Sequence, residues 1–182
     1  LLGLLQLKKT NEYHLIIHTD GGECTSVDVL SRLLSECKCK IYTYIPKYAY
    51  SAGSMLAICG DKIYMNWYSL MGPIDTQIEY DEDETFSAKY VKEFRKKSWA
   101  KDKEYLYGLE AEAIHNDDEF IISRILQKNN KKDRIIKRLL NTKYSHGISF
   151  TCEDIKDMGL PVINDVPEFI MDIFNDYNKL FY

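Results

Sequence analysis

The sequence predicts a single α/β domain with a mostly parallel central sheet, βαβ units and flanking helices. Three observations carry this prediction. Short apolar runs alternate with amphipathic segments, the signature of strands followed by helices. The first of those runs stops at a Gly-Gly turn and the second at a proline. The chain has 182 residues, the length of one domain. Its apolar share of 45% is enough for a core, and its charged share of 29% is ordinary for a globular chain.

The elements follow in order. Leu15-Ile16-Ile17-His18 is a short apolar run that stops at Thr19-Asp20-Gly21-Gly22. It reads as a buried strand ending in a tight glycine turn. From Thr25 to Cys37 the apolar residues Val27, Leu30, Leu33 and Leu34 recur at helical spacing. Lys40 to Pro46 is rich in β-formers and ends at proline. Strand, glycine turn, helix and strand together make a right-handed βαβ crossover with parallel pairing. Ser51 to Cys59 starts with small residues and continues with apolar ones, as a short buried helix does. Lys62 to Met65 is another strand, and Ser69 to Asp75 a further strand and turn. Asp83 to Lys128 is charged and reads as largely helical, and Lys131 to Asn141 as a second helix. Phe150-Thr151-Cys152-Glu153-Asp154 reads as a capping box opening a helix that stops at Gly159. Leu160 to Ile163 is a last strand, and Pro167 to Leu180 a terminal amphipathic helix.

Composition narrows the function classes. The net charge of −4 gives no broad basic surface, so nucleic acid is not an expected partner. No apolar run reaches the roughly 18 residues of a membrane span. The chain begins Leu1-Leu2-Gly3 without a methionine and reads as a fragment or a processed form. Membrane association through a segment upstream of Leu1 stays open. Cys24, Cys37, Cys39, Cys59 and Cys152 are odd in number, and their spacings match no zinc or disulfide template. They are expected to be reduced, in a cytosolic or cytosol-facing domain, with no metal. Tyr, at 14 residues, is read as a compositional effect without functional content.

Two turns can carry chemistry: Asp20-Gly21-Gly22 and Tyr50-Ser51-Ala52-Gly53, each after a strand. In a parallel sheet both fall at the carboxyl edge, where ligands bind. Acyl transfer needs an exposed nucleophile, two N–H groups aimed at the developing oxyanion, and a base within reach. Ser51 on a strand-to-helix turn fits the first need. Ala52 N–H at a helix start and the Cβ-free Gly21-Gly22 loop fit the second. Local chemistry by itself favours a simple helix N-cap for Ser51 and an ordinary turn for the glycines.

The ordered segments decide between these readings. His18-Thr19-Asp20-Gly21-Gly22 resembles the HTPGG segment of the serine dehydrogenase proteinase family, ClpP-class proteins with a ClpP/crotonase-like fold. The family is related to signal peptide peptidase A and to the NfeD-associated membrane proteases. Tyr48 to Ala57 resembles its HYAMSAGTLIAL segment, Asp61 to Met65 its DEIVM strand, and Leu70 to Gln77 its LGPxDPQ segment. Thr142 to Gly147 resembles GKWTHD, and Glu153 to Val162 resembles EEAKELGLPV.

The resemblance implies a serine endopeptidase acting on extended peptide segments, including those of membrane proteins. It implies Ser51 as nucleophile, with Gly21, Gly22 and Ala52 N–H as the oxyanion site. It implies a lysine base, Lys89, with Lys92 as rival at the separation of the NfeD-linked proteases. His146 matches a family histidine, as base, substrate contact or structural residue. No cofactor is implied, and assembly with copies of itself is. His18 is expected to be buried and hydrogen-bonded, and Asp75 to stabilise a turn. Asp20 stands where the family has proline, which puts a negative charge beside a site meant to bind an anion. A crotonase-like acyl-CoA enzyme and an inactive peptide-binding scaffold are the alternatives. The first would use paired carboxylates in place of Ser51, and none are obvious by the glycine turns.

Overall fold

The computed structural model describes residues 11–37, 39–81, 84–97, 101–140 and 148–181. The chain runs β1 (Glu12–Ile16), α1 (Cys24–Glu36), β2 (Lys40–Ile45), β3 (Tyr48–Ala49), α2 (Ala52–Ala57), β4 (Lys62–Met65) and β5 (Leu70–Met71). It continues β6 (Gln77–Asp81), β7 (Glu84–Ser87), α3 (Ala88–Val91), α4 (Asp102–Ile125), α5 (Lys132–Leu139), α6 (Cys152–Met158), β8 (Val162–Ile163) and α7 (Glu168–Phe181).

The central sheet has the order β1-β2-β4-β8, and every pair in it is parallel. Alternation along β2 explains the layering. Ile41, Thr43 and Ile45 are buried on one face, and Ile45, Ile63 and Met65 join the main core under α2, α4, α5 and α6. The opposite face carries His14, Tyr42, Tyr44 and Tyr64 and is covered by Ile170 of α7. Tyr44 and Tyr64 stack at 4.7 Å, and His14 Nδ1 lies 2.8 Å from the Tyr44 hydroxyl. Three of the tyrosines read as compositional thus have a packing role. They let a flat aromatic layer cover a sheet face with few rotatable bonds.

A second, smaller strip positions the site. Tyr48–Ala49 pairs in parallel with Leu70–Met71, Thr19 bridges to Ala49, and Met71 bridges to Phe150. Ser54 of α2 sits beneath it, fully buried, with Oγ 2.8 Å from the carbonyl oxygens of both Ala49 and Gly72. The strip exists because β2 ends at Pro46 and the chain restarts in a new direction. The sequence reading missed β3.

Other elements differ in detail. The stretch read as largely helical from Asp83 opens instead with the end of an antiparallel hairpin, β6 with β7, and only then enters α3 and α4. The alternation in Gln77-Ile78-Glu79, with Ile78 buried between exposed neighbours, is the strand signal there. The capping box at Thr151 forms as expected. Its hydroxyl accepts the Asp154 N–H at 3.3 Å, and the Asp154 carboxylate accepts the Thr151 N–H at 2.9 Å. Gly159 ends that helix in the left-handed region at φ 107°. Cys37 and Cys39, expected reduced, are joined by a disulfide, with Cα atoms 5.2 Å apart, a span a bridge can close.

Ser54→Ala is expected to lower unfolding stability by about 1–3 kcal/mol, because the hydroxyl proton shared between the Ala49 and Gly72 carbonyls is lost and, among the described residues, Ala49 alone keeps a donor, the Gly72 N–H. Urea denaturation measures this as a shift of the midpoint at unchanged slope.

Candidate active site

Ser51 joins β3 to α2 in one sharp turn. Tyr50 N–H is still held by the strip, donating to Thr19 O at 3.0 Å. Gly53 N–H already donates to Tyr50 O at 2.8 Å, and Ser54 N–H to Ser51 O at 2.9 Å. Strand bonding therefore gives way to helix bonding at a single residue. That residue adopts φ 50° and ψ −116°, the one positive φ outside glycine among the described residues. Such a conformation costs about 1–3 kcal/mol. Ser51 holds the N-cap position but makes no capping bond. Its half-buried hydroxyl has no hydrogen-bond partner among the described residues. The local reading of Ser51 as a simple cap is therefore not what its side chain does.

Thr19 fixes the opposite wall. Its N–H donates to Tyr48 O at 3.3 Å. Its methyl lies over Gly53, where an added Cβ would come within 2.4 Å of it, so the residue two past Ser51 must be glycine. Its hydroxyl accepts the Gly21 N–H at 3.1 Å and donates to the Gly21 carbonyl at 3.0 Å. Gly21, at φ 133°, backs onto the serine: a Cβ there would stand 3.1 Å from Ser51 Cβ and 3.7 Å from its Oγ. The loop can approach so closely only without a side chain. The Gly21 N–H is thus engaged by Thr19, whereas the Gly22 and Ala52 N–H groups have no partner among the described residues.

The wall beyond Gly72 is polar and buried. Gly72 packs on Tyr50, where a Cβ would lie 2.6 Å from the ring. Three residues on, Asp75 pairs with Lys89 of α3 at 3.1 Å, with both side chains almost fully enclosed. The Ser87 hydroxyl donates to the other Asp75 oxygen. Thr76 donates to Asp118 Oδ2 of α4 at 2.7 Å, and the Cys24 sulfur lies 3.5 Å from the Thr76 oxygen. Since the Thr76 hydrogen points to Asp118, the Cys24 thiol is the donor in that contact. Burial pushes the Asp118 carboxyl above the usual carboxylate range. Burial, and then the Asp118 charge, push the Cys24 thiol up to about 11.

The structure therefore brings Ser51, Gly21 and Ala52 into one turn-on-turn contact, with Gly22 following in the same loop. Lys89 joins the neighbouring wall through Asp75, which, expected to stabilise a turn, is also a buried ion-pair partner. Lys92 is half-buried one turn further on, and its charge reaches His115 of α4. Desolvation, followed by Lys92, holds His115 below the ordinary imidazole range. His18 departs from expectation. It is half-buried, wedged between Tyr48 at 4.2 Å and Phe174 at 5.1 Å, and its buried Nδ1 has no hydrogen-bond partner among the described residues. His146 and the segment from Thr142 to Gly147 lie outside the described residues. Sequence reasoning passed over Thr19, Thr76 and Asp118, because Thr and Asp acquire their roles here only through contacts between distant segments. A cavity of about 720 Å³ lies at the far end of α1, lined by Cys37, Cys59 and Arg124 among others. It contains none of the predicted site residues.

Comparison with known proteins places this geometry. The family model described as ClpP-like SDH-type serine proteinase matches residues 6–181. Two uncharacterised proteins of Methanocaldococcus jannaschii match at 31% identity over 90% of this chain and 27% over 94%. The chain spans 56% and 60% of their lengths. Among solved structures, the membrane-bound stomatin-specific protease 1510-N, in a serine-to-alanine mutant, superimposes with TM-score 0.64 at 15% identity. It covers 92% of this chain and 72% of that one. ClpP1 from Listeria monocytogenes gives 0.55 at 12% identity, over 90% of this chain and 81% of its own. The fold is ClpP-like.

Cys24 should alkylate with iodoacetamide on the order of 100-fold more slowly at pH 8 than a free thiol of ordinary pKa, because only the thiolate reacts. The rate should climb until pH approaches about 11, where the thiol ionises. Asp118→Asn should speed the reaction at pH 8 by removing the carboxylate that disfavours the thiolate. Peptide mapping by mass spectrometry resolves Cys24 from the other cysteines.

Proposed function

We propose, from the premise that the chain belongs to the ClpP-like SDH-type serine proteinase family, that it is a serine endopeptidase with Ser51 as acyl-forming nucleophile. The observation that carries this reading is the unbonded Ser51 hydroxyl on a strained turn, pressed against Gly21 and followed by the unengaged Ala52 N–H. A nucleophile held this way faces substrate and loses no internal bond on attack.

In this reading the Ser51 oxygen adds to the scissile carbonyl, and its proton passes to a lysine amine. The Gly22 and Ala52 N–H groups donate to the oxyanion. Collapse of the adduct expels the amine product with the lysine's proton, and water then hydrolyses the acyl-enzyme. Gly21 contributes by having no side chain. Its amide is already bonded to Thr19, so the second donor is Gly22. The substrate lies extended beside Gly21-Gly22, taking main-chain bonds as an added strand. The neighbour named a membrane-bound stomatin-specific protease supports membrane-protein segments as substrates. Self-assembly is supported by α7, which exposes Phe169, Ile173, Tyr177 and Leu180 while it buries Ile170 and Phe174.

Lys89 is the base in this reading. Its nitrogen is withdrawn from water in the wall beside the site, as a lysine base requires, and Asp75 fixes its position. A second reading takes Lys92. The serine and lysine substituted in the two mutants of the stomatin-specific protease have the same separation as Ser51 and Lys92.

A fluorophosphonate probe tests both. The folded chain should label at Ser51, and Ser51→Ala should abolish labelling. Absence of labelling in the folded protein would overturn the peptidase and leave the inactive peptide-binding scaffold. Lys92→Ala should leave labelling within about 3-fold if Lys89 is the base, and should lower it about 100-fold or more if Lys92 is. Removing Lys89 alone strands a buried Asp75, at a cost of about 3–5 kcal/mol. The informative variant is therefore Asp75→Asn with Lys89→Met, which removes both charges together.

A further inference from the structure

We propose that Asp20 and Glu23 make the Ser51 site selective for extended peptides with a lysine or arginine beside the scissile bond. The proposal rests on the peptidase reading above.

The position of these two carboxylates is fixed by the backbone. Thr19 clips Gly21 through both its N–H and its carbonyl, so Asp20 is the tip of a closed turn and is exposed. Gly21 touches the Ser51 turn, so Asp20 is one residue, about 3.8 Å of backbone, from that contact. Glu23 follows on the other side of Gly22 and starts α1 in an extended conformation, with no capping bond from its side chain. It is also exposed. The loop that would receive a peptide strand is therefore bracketed by two negative charges. Between them, a Cβ built on Gly22 meets nothing within 4 Å, so the space beside the loop is open to a long substrate side chain.

Neither carboxylate has a hydrogen bond or ion pair among the described residues. Other carboxylates of this chain do: Asp28 with Arg32 and Arg124, Asp61 with Lys40, and Asp75 with Lys89. Two free negative charges beside an oxyanion site oppose the charge that develops there. They act within the Debye length of about 10 Å at 0.1 M salt. A cationic side chain on the substrate would occupy the open space and cancel this field. The gain would be largest when the oxyanion forms, so basic substrates should profit in kcat as well as in KM. Acidic substrates should suffer on both counts.

The test uses fluorogenic peptides that differ only at the residues flanking the scissile bond, carrying Lys, Gln or Glu. At low salt, kcat/KM should fall about 5- to 10-fold from Lys to Gln and again from Gln to Glu, and the spread should shrink in 0.5 M salt. The double variant Asp20→Asn, Glu23→Gln should level the three peptides and raise the rate on the Gln peptide. Equal rates for Lys and Glu peptides, or a preference that survives the double variant, would overturn the inference. Binding of the same peptides to the Ser51→Ala chain, read by fluorescence anisotropy, decides the matter without turnover. Lys peptides should bind at least about 5-fold tighter than Glu peptides at low salt, and equal affinities would refute charge selectivity. Charge-selective binding by a wild-type chain that neither cleaves nor labels would sink the peptidase reading and leave Asp20 and Glu23 as determinants of peptide binding alone.

Discussion

The Ser51 end of the molecule depends on the seating of Thr19 against Ala49. One residue makes three unlike contacts there. Its backbone joins the strip at Tyr48 and Tyr50, its methyl covers Gly53, and its hydroxyl closes the Gly21 turn. Each hydrogen bond contributes about 1 kcal/mol net. Together they are of the size needed to hold Ser51 in a backbone conformation that costs about 1–3 kcal/mol. The strain at the serine is thus offset by neighbours that do not themselves react. Serine in place of Thr19 would keep the clip and lose the cover over Gly53. Valine would do the reverse.

The polar wall beside this contact has a different logic. A buried ion pair such as Asp75 with Lys89 rarely adds net stability, since desolvating two charges costs about what their attraction returns. The Cys24–Thr76–Asp118 chain is similar: it satisfies buried polar atoms without adding apolar contact. Apolar residues of the same volume would hold α3 and α4 to the sheet at least as well. In this wall Ser87 donates to Asp75, and Asp75 in turn fixes the position of Lys89. The same surroundings disfavour the Cys24 thiolate, first by burial and then through the Asp118 charge.

Much of this was legible in the sequence. Glycines and prolines marked the strand ends, periodicity marked α1 and α7, and Thr151 with Asp154 marked a cap. Ser51, Gly21, Gly22 and Ala52 could be picked out because turn chemistry and nucleophile chemistry draw on the same small residues. What was not legible arises between segments far apart in the chain. Asp75 reads as a turn residue until Lys89 folds over it. Tyr42, Tyr44 and Tyr64 read as composition until β2 and β4 align their rings. The β6–β7 hairpin was lost in a run of charged residues because only Ile78 among its described side chains on β6 is buried. Lys89 lies in α3 and Lys92 just past its end, three residues on, and local sequence gives no means of ranking them.

The small strip has a consequence for how the molecule is made. Its members come from four separate stretches: Thr19, Tyr48–Ala49, Leu70–Met71 and Phe150. Met71 and Phe150 are joined by two backbone hydrogen bonds, of 2.9 and 2.6 Å. A nascent chain therefore exposes Ser51 about a hundred residues before the last of these partners has been synthesised, and domains fold as units during synthesis. The Ser51 turn is completed late, by a residue remote from it in sequence: until Phe150 has emerged, the strip that holds the turn lacks its last strand partner.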